Sequence, residues 1–303
     1  MNLDWGDITA QLLVFFVLAT SLNFVIGFAK TLSIHHAALF AIGAFTYANF
    51  ATRGWSEDLI VAIAAAGILG AGISVLLALG SLRVAGDYFI VASFAFQLLA
   101  VSVLYNWTAV SGGNYGLFGL AAPTFASVPI EGVNGFIVLF ALLALITLAF
   151  SIWLRRGPYG RIVRAMGESP SALATAGFGE LRLKTGIFVM SGVLAATAGA
   201  MYASYLGIAQ TGSFGVDVSI LVAAMVVIGG VGSAVGSLLG AALVVISQPL
   251  LSTLDISTET SAALRQLFFG LTLVVVVTVL PRGLVQLGDL GRRLVPGRVG
   301  GAR

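Results

Sequence analysis

His35 and His36 are the chain's two histidines, and they stand side by side. Histidine is the side chain best suited to holding a metal or moving a proton near neutral pH. Neighbours on a helix, as these two are predicted to be, point about 100° apart, which is poor geometry for clasping one ion. The chain has no cysteine, so it offers no thiolate ligand, disulfide or thiol nucleophile. Two lysine-bearing stretches hint at a phosphate loop, GFAKT at 27–31 and GELRLKT at 179–185. Both lack the glycine directly before the lysine and the spacing that the loop needs. No metal site, catalytic group or nucleotide site is therefore expected in this chain. The acids sit at the ends of apolar stretches, whereas an ion-coupled carrier would bury a carboxylate or a lysine near the bilayer midplane. Asp87 comes nearest to an exception, and Arg83 four residues before it makes an interfacial ion pair the simpler account. What remains inside the apolar stretches is uncharged: Asn23, Asn49, Gln97, Gln210 and Gln248. These residues either line a polar path or tie helices together.

The elements that must position such residues are apolar almost throughout. Hydrophobic residues fill 59% of the 303 positions and charged ones 9%, against about 25% charged in an ordinary soluble domain. Hydropathy and turn residues predict nine spans, at about 8–29, 34–51, 59–80, 87–105, 133–154, 185–208, 217–231, 235–251 and 263–280. The runs are apolar on every face, which excludes the alternation of a membrane barrel. The expected fold is all-α: a polytopic transmembrane helical bundle of about 8–10 spans in a single domain over 1–303. The stretch 107–132 is rich in glycine, proline and asparagine yet partly apolar, which suits a segment that dips back into the membrane. The N-terminus lacks the basic start of a cleavable signal, so the first apolar segment is expected to be a retained span. Gly232, Gly236 and Gly240 repeat at four-residue spacing, a small-residue face for close helix packing, either inside the chain or between subunits.

The longest polar stretch, residues 155–184, carries six basic side chains. With that loop in the cytoplasm, Lys30, Arg83, Arg282, Arg292, Arg293, Arg298 and Arg303 fall on the same side, and only Arg53 and Arg265 fall outside. The N-terminus is then outside and a basic tail, 281–303, is cytoplasmic. Within the loop, Pro158 suits the first turn of a helix bearing Arg161 and Arg164, with Glu168 four residues beyond Arg164 and Gly167 weakening its end. Ser169 and Pro170 read as N-cap and first position of a second short helix over about 170–176, and Gly177 suits the position after it. From the residues alone, the loop either serves only the topology rule or offers a small-residue helix to another protein's groove.

The stretch from Gly157 to Ala203 resembles the cytoplasmic loop and following span of the branched-chain amino-acid permease family of bacterial ATP-binding-cassette (ABC) importers. Further similar stretches run in order: SLNFVIGFAKTLSIHHAALFAIGAFTYA, LRVAGDYFIVASFAFQLL, SGGNYGLFGL, IGGVGSAVGSLLGAAL and RQLFFGLTLVVVVTVLPRGL. SGGNYGL and PRGL align it with the M-type of the two paired permeases. The resemblance implies that Gly160, Arg161, Arg164, Ala165, Glu168 and Gly177 belong to a loop that docks onto ATPase subunits. It also implies that Ser111, Gly112, Gly113 and Asn114 begin an outward-facing loop near the translocation path, to which Asn23, His36 and Gln210 are added as path candidates. His35 departs from the family, where glycine is usual, and GESPSALA is less charged than the M-type version, closer to sugar and nucleoside relatives. The implied protein is a multi-pass permease of the bacterial plasma (inner) membrane for branched-chain or related amino acids. Urea, short amides, nucleosides and sugars are the alternative substrates. Its implied partners are ABC ATPases holding the ATP and magnesium, a second related permease, an extracytoplasmic solute-binding protein and the bilayer, with no nucleic acid. A self-sufficient channel or carrier and a non-transporting scaffold are the competing classes.

Overall fold

The computed structural model describes residues 4–56, 58–81, 88–125, 128–130, 132–252 and 283–286, together with 267, 270, 271, 274 and 278. Helices occupy eight of the nine predicted apolar stretches: α1 (Trp5–Phe28), α2 (His36–Arg53), α3 (Leu59–Ser81), α4 (Tyr88–Asn106), α6 (Gly132–Arg156), α9 (Glu180–Leu206), α10 (Val216–Gly229) and α11 (Ala234–Ser252). Six helical stretches among the described residues are long and apolar enough to cross a membrane; α2 and α11 are not among them. The ninth span lies mostly outside the described residues, as do most of the basic tail, the Arg83–Asp87 pair and the Gln248 side chain.

Burial separates the helices into two layers. α1 and α9 are largely enclosed, whereas α3, α4 and α6 turn Ile68, Leu76, Val91, Val138 and Leu145 outward. That apolar outer surface suits lipid and would be costly in water. Small residues bring the inner helices together. A Cβ on Gly43 would overlap the Ala196 backbone, and one on Gly199 would overlap the Phe40 carbonyl, so α2 and α9 touch backbone to backbone. The glycine repeat has the same use within the chain. Gly236 and Gly240 of α11 abut the backbone of α10 at Gly229 and Met225. Gly232 does not share their helix face; it stands in the turn before α11 with φ +81, because the chain must reverse there.

α2 begins inside the bundle. His36 Nε2 lies 2.8 Å from Ser191 Oγ, which donates to the Ser21 carbonyl at 2.6 Å. Ser21 stands seven residues before the end of α1, or about 10 Å at 1.5 Å per residue. Residues 29–35 therefore return from the end of α1 into the protein before the chain turns helical again. A helix start placed there has backbone N–H groups without intrahelical partners, which lipid cannot satisfy. Side chains from two other helices bond two of them. Ala37 N donates to Ser219 Oγ at 2.9 Å, and Ala38 N donates to Gln97 Oε1 at 2.9 Å.

The described residues of the stretch 107–132 form a short helix, α5 (Thr108–Ser111), followed by glycine turns and two-residue strands. β1 (Leu117–Phe118) pairs antiparallel with β4 (Ile208–Ala209), Leu117 opposite Ala209. β2 (Thr124–Phe125) pairs with β3 (Val128–Pro129). The polar loop 155–184 contains α7 (Pro158–Glu168) and α8 (Pro170–Thr175). Both predicted short helices are present, each with proline at its start, and Gly177 takes the left-handed conformation after the second, with φ +82.

Candidate functional site

The polar loop divides into an anchored half and a bare half. Val163 and Met166 are fully buried in one cluster with Phe24, Val25 and Phe28 of α1, Leu154 of α6 and Ile187 and Phe188 of α9. Three positions apart, they share one face of α7 and fix it to three spans at once. Gly160 and Gly167 allow that approach. A Cβ on Gly160 would overlap the Leu154 carbonyl, and one on Gly167 would press on the Lys30 side chain and the Phe28 carbonyl. The Tyr159 hydroxyl donates to the Leu183 carbonyl at 3.0 Å, and burial pushes its phenol pKa up.

Arg164 does not pair with Glu168, four residues beyond it. Its guanidinium donates to the Arg155 carbonyl at 2.8 Å and to the Gly160 carbonyl at 3.3 Å, and it lies over the Phe28 ring, 5.4 Å from the centroid. Among the described residues the ion pair that forms is Lys184 with Glu180, at 2.6 Å. Arg164 faces inward because a guanidinium so placed satisfies carbonyls at a helix end and stacks on an aromatic face, which an exposed carboxylate does not match. Arg161, Ala165 and Glu168 are exposed on the other side of α7, and Gly177 is exposed beyond α8. Ser169 is the other difference. It closes α7 and opens α8 at φ −148, ψ 80, and its side chain makes no cap hydrogen bond.

The path candidates fall into three places. Ser111, Gly112, Gly113 and Asn114 are brought together with Gln210. Thr211 Oγ1, at the start of the 3₁₀ turn Thr211–Phe214, donates to the Gly113 carbonyl at 2.7 Å, and Gly116 abuts Ala209 and Gln210. Ser111 is wholly buried, hydrogen-bonds the carbonyls of Leu104 and Trp107 and accepts from Gly113 N, so it staples its own loop. Asn114 and Gln210 remain exposed. His36 belongs to the internal α2 start, apart from that loop. Ser191 spends its one proton on Ser21, so His36 carries the Nε2 hydrogen and Nδ1 is left without a partner. His35 stands before the helix, as N-cap, and stacks on Phe188 at 5.8 Å with neither ring nitrogen hydrogen-bonded.

Asn23 lies apart from both, with its amide fully engaged by the turn between α10 and α11. Nδ2 donates to the Ser233 carbonyl at 3.0 Å and to Ser237 Oγ at 2.8 Å, and Oδ1 accepts from Gly232 N at 2.6 Å. Asn49 similarly bonds the carbonyls of Phe45 and Val110 at 2.8 and 2.7 Å. Beside Asn49, a cavity of about 460 Å³ opens between α2, α3 and α4, lined by Ile42, Phe45, Phe96 and Leu99 and ending at Arg53, Trp55 and Trp107. Sequence reading did not single out Ser191, Ser219, Val163 or Met166. The last two carried a signal in the three-residue spacing of apolar side chains in a polar stretch.

Comparison with known proteins agrees with this architecture. The sequence model of the family described as the permease component of branched-chain amino acid transport systems matches residues 6–277. The high-affinity branched-chain amino acid transport system permease protein LivM of Salmonella typhimurium is 27% identical over 318 residues, covering 97% of this chain and 73% of that protein. Its Escherichia coli K12 counterpart is 29% identical over 268 residues, covering 81% and 63% respectively. The ribose import permease protein RbsC of Haemophilus influenzae is 31% identical over 142 residues, 45% of this chain and 44% of that one. No solved structure matches. A family match across most of the chain, on a bundle of membrane-length helices, makes this a multi-pass membrane protein that belongs to the branched-chain amino acid transport system permease family.

Proposed function

We propose that this chain is a membrane-spanning subunit of an ABC importer that carries branched-chain or related amino acids across a bacterial plasma membrane. ATP and magnesium belong to separate ATPase subunits, which act on the 155–184 loop from the cytoplasm. The observation that carries the reading is the division of that loop. α7 is bolted to three spans through Val163 and Met166, while Arg161, Ala165, Glu168 and the exposed turn after α8 remain open to a partner. A segment that is rigid on one side and free on the other can be pushed without absorbing the push. The N-terminus is then outside and the C-terminus cytoplasmic. A second, related permease completes the path, and a solute-binding protein delivers substrate near the 111–118 loop. Branched-chain amino acids rank first as substrate because both LivM proteins align over most of this chain. The shorter match to a ribose permease favours a sugar as the second reading.

Recovery of the chain from its native membrane in mild detergent should bring down an ATPase, a second permease and a binding protein. Proteoliposomes holding all of them should accumulate labelled leucine only with ATP, and unlabelled ribose should not compete. Leucine flux through this chain alone, down its gradient, would make it a channel or carrier.

A further inference from the structure

The last turn of α1 is gripped from two sides. On one side stands α7, with the Arg164 guanidinium over the Phe28 ring at 5.4 Å and Gly167 against the Phe28 carbonyl and Lys30. On the other stands the turn between α10 and α11. Gly27 has room for no Cβ because the Gly232 backbone lies against it, and one α1 turn earlier Asn23 bonds Gly232, Ser233 and Ser237 together. A strap from the C-terminal region closes the same turn: Leu284 N donates to the Ile228 carbonyl at 2.9 Å.

α10 leads from that turn to the other candidate residues. Ser219 caps the internal start of α2 and donates to Gln97 Oε1 at 3.1 Å. Just before α10, the Phe214 carbonyl accepts from Gln97 Nε2 at 3.0 Å, and Thr211 holds the Gly113 carbonyl. A continuous series of packed or hydrogen-bonded groups therefore joins the polar loop to the 111–118 loop. Where α1 meets the α10–α11 turn, backbones pack closely at Gly27 and Gly232, and the side-chain hydrogen bonds come from one residue, Asn23. In lipid the apolar effect adds little to helix association, so polar contacts and close packing determine which helices move together.

We infer that Asn23 is a positioning residue that makes α10 and α11 follow the movement of the 155–184 loop, and that it does not contact substrate. The role rests on the importer reading above. Asparagine suits it because its amide donates and accepts at once, so three backbone or hydroxyl groups of a tight turn are held by one uncharged side chain.

The test uses the complete importer in proteoliposomes, with ATP hydrolysis and leucine uptake measured in the same sample. Asn23→Ala should leave ATPase docking intact and raise the ATP consumed per leucine about fivefold or more. Ser237→Ala removes one of the bonds and should raise it about twofold, and it serves should Asn23→Ala fail to insert. Hydrogen exchange gives a readout that mere destabilisation would not move. A non-hydrolysable ATP analogue should alter exchange in both 158–168 and 211–229 of the unaltered importer, and in 158–168 alone once Asn23 is replaced. An unchanged ATP-to-leucine ratio in both variants, or a response of 211–229 that survives Asn23→Ala, overturns the inference. An unaltered importer that takes up no leucine with ATP would instead defeat the importer reading and remove this role with it.

Discussion

Residues 107–130 and residues 155–184 both interrupt the apolar run with glycine, yet they are held by different forces. The first is fixed by its own backbone and short staples: Ser111 within the loop, the β1–β4 pair, Thr211 on Gly113, and Leu120 N on the Gly207 carbonyl at 3.3 Å. Tyr115, Phe118 and Val128 point away, Tyr115 being 79% exposed, while Leu117, Leu120 and Ile130 are only partly buried against the core. The second is fixed by side chains that enter the core, with Val163 and Met166 at 0% exposure. Fixing by backbone leaves side chains free for recognition. Fixing by side chains ties a segment to the helices beneath it.

The difference is broken most sharply at Met166. Truncation to alanine removes a fully enclosed side chain and should cost about 2–5 kcal/mol. Thermal unfolding in detergent should fall accordingly, and limited proteolysis should begin within 155–184. The corresponding change in the other loop, Tyr115→Ala, should stay within about 0.5 kcal/mol because the side chain touches little. Equal losses at the two positions would mean that the loops are held alike.

Glycine sharpens the same contrast. Gly112 has φ +72, and a Cβ there would overlap the Gly116 carbonyl; Gly119 has φ +65 with open space around it. Gly119→Ala should cost about 1–2 kcal/mol for conformation alone. Gly112→Ala adds a backbone clash and should cost about 1–3 kcal/mol more. Melting temperatures of the two variants, taken side by side, separate the strain from the contact.

Most of the helices, and both helices of the polar loop, were legible in the sequence because their signals are local. Twenty apolar residues fix a span, and Pro158, Pro170 and Gly177 act on their immediate neighbours. Local spacing did not show which distant group a side chain meets, or where a helix gives way to a turn. Arg164 stands four residues from Glu168, yet it lies over the ring of Phe28, 136 positions away. The inner start of α2 depends on Gln97 and Ser219, 59 and 182 positions from the N–H groups they satisfy. Gly232 was placed on a helix face because a four-residue repeat looks the same whether its first member is in the helix or in the turn before it. The polar residues inside the spans show the same limit: Asn23, Asn49 and Gln97 each bond a distant carbonyl, hydroxyl or N–H, and no local pattern names which.

Arg164 and Glu168 provide the finest division between holding and docking, since they lie four residues apart on α7 with opposite environments. Arg164→Lys keeps the charge but loses the planar stack on Phe28 and the geometry that reaches the Arg155 carbonyl, so stability should fall by about 1 kcal/mol. Glu168 is exposed and has no ion pair among the described residues, so Glu168→Ala should leave the unfolding midpoint within about 0.5 kcal/mol of the original. Affinity for the ATPase should show the opposite order. Glu168→Ala should weaken binding, because it removes a charge from the open face. Arg164→Lys should leave binding near normal, because that side chain is turned toward the membrane domain. Titration of purified ATPase onto each variant in nanodiscs distinguishes the two. A loss of ATPase binding in Arg164→Lys without any loss of stability would mean that Arg164 swings outward in the complex, and that the anchored and open faces of α7 exchange a residue on docking.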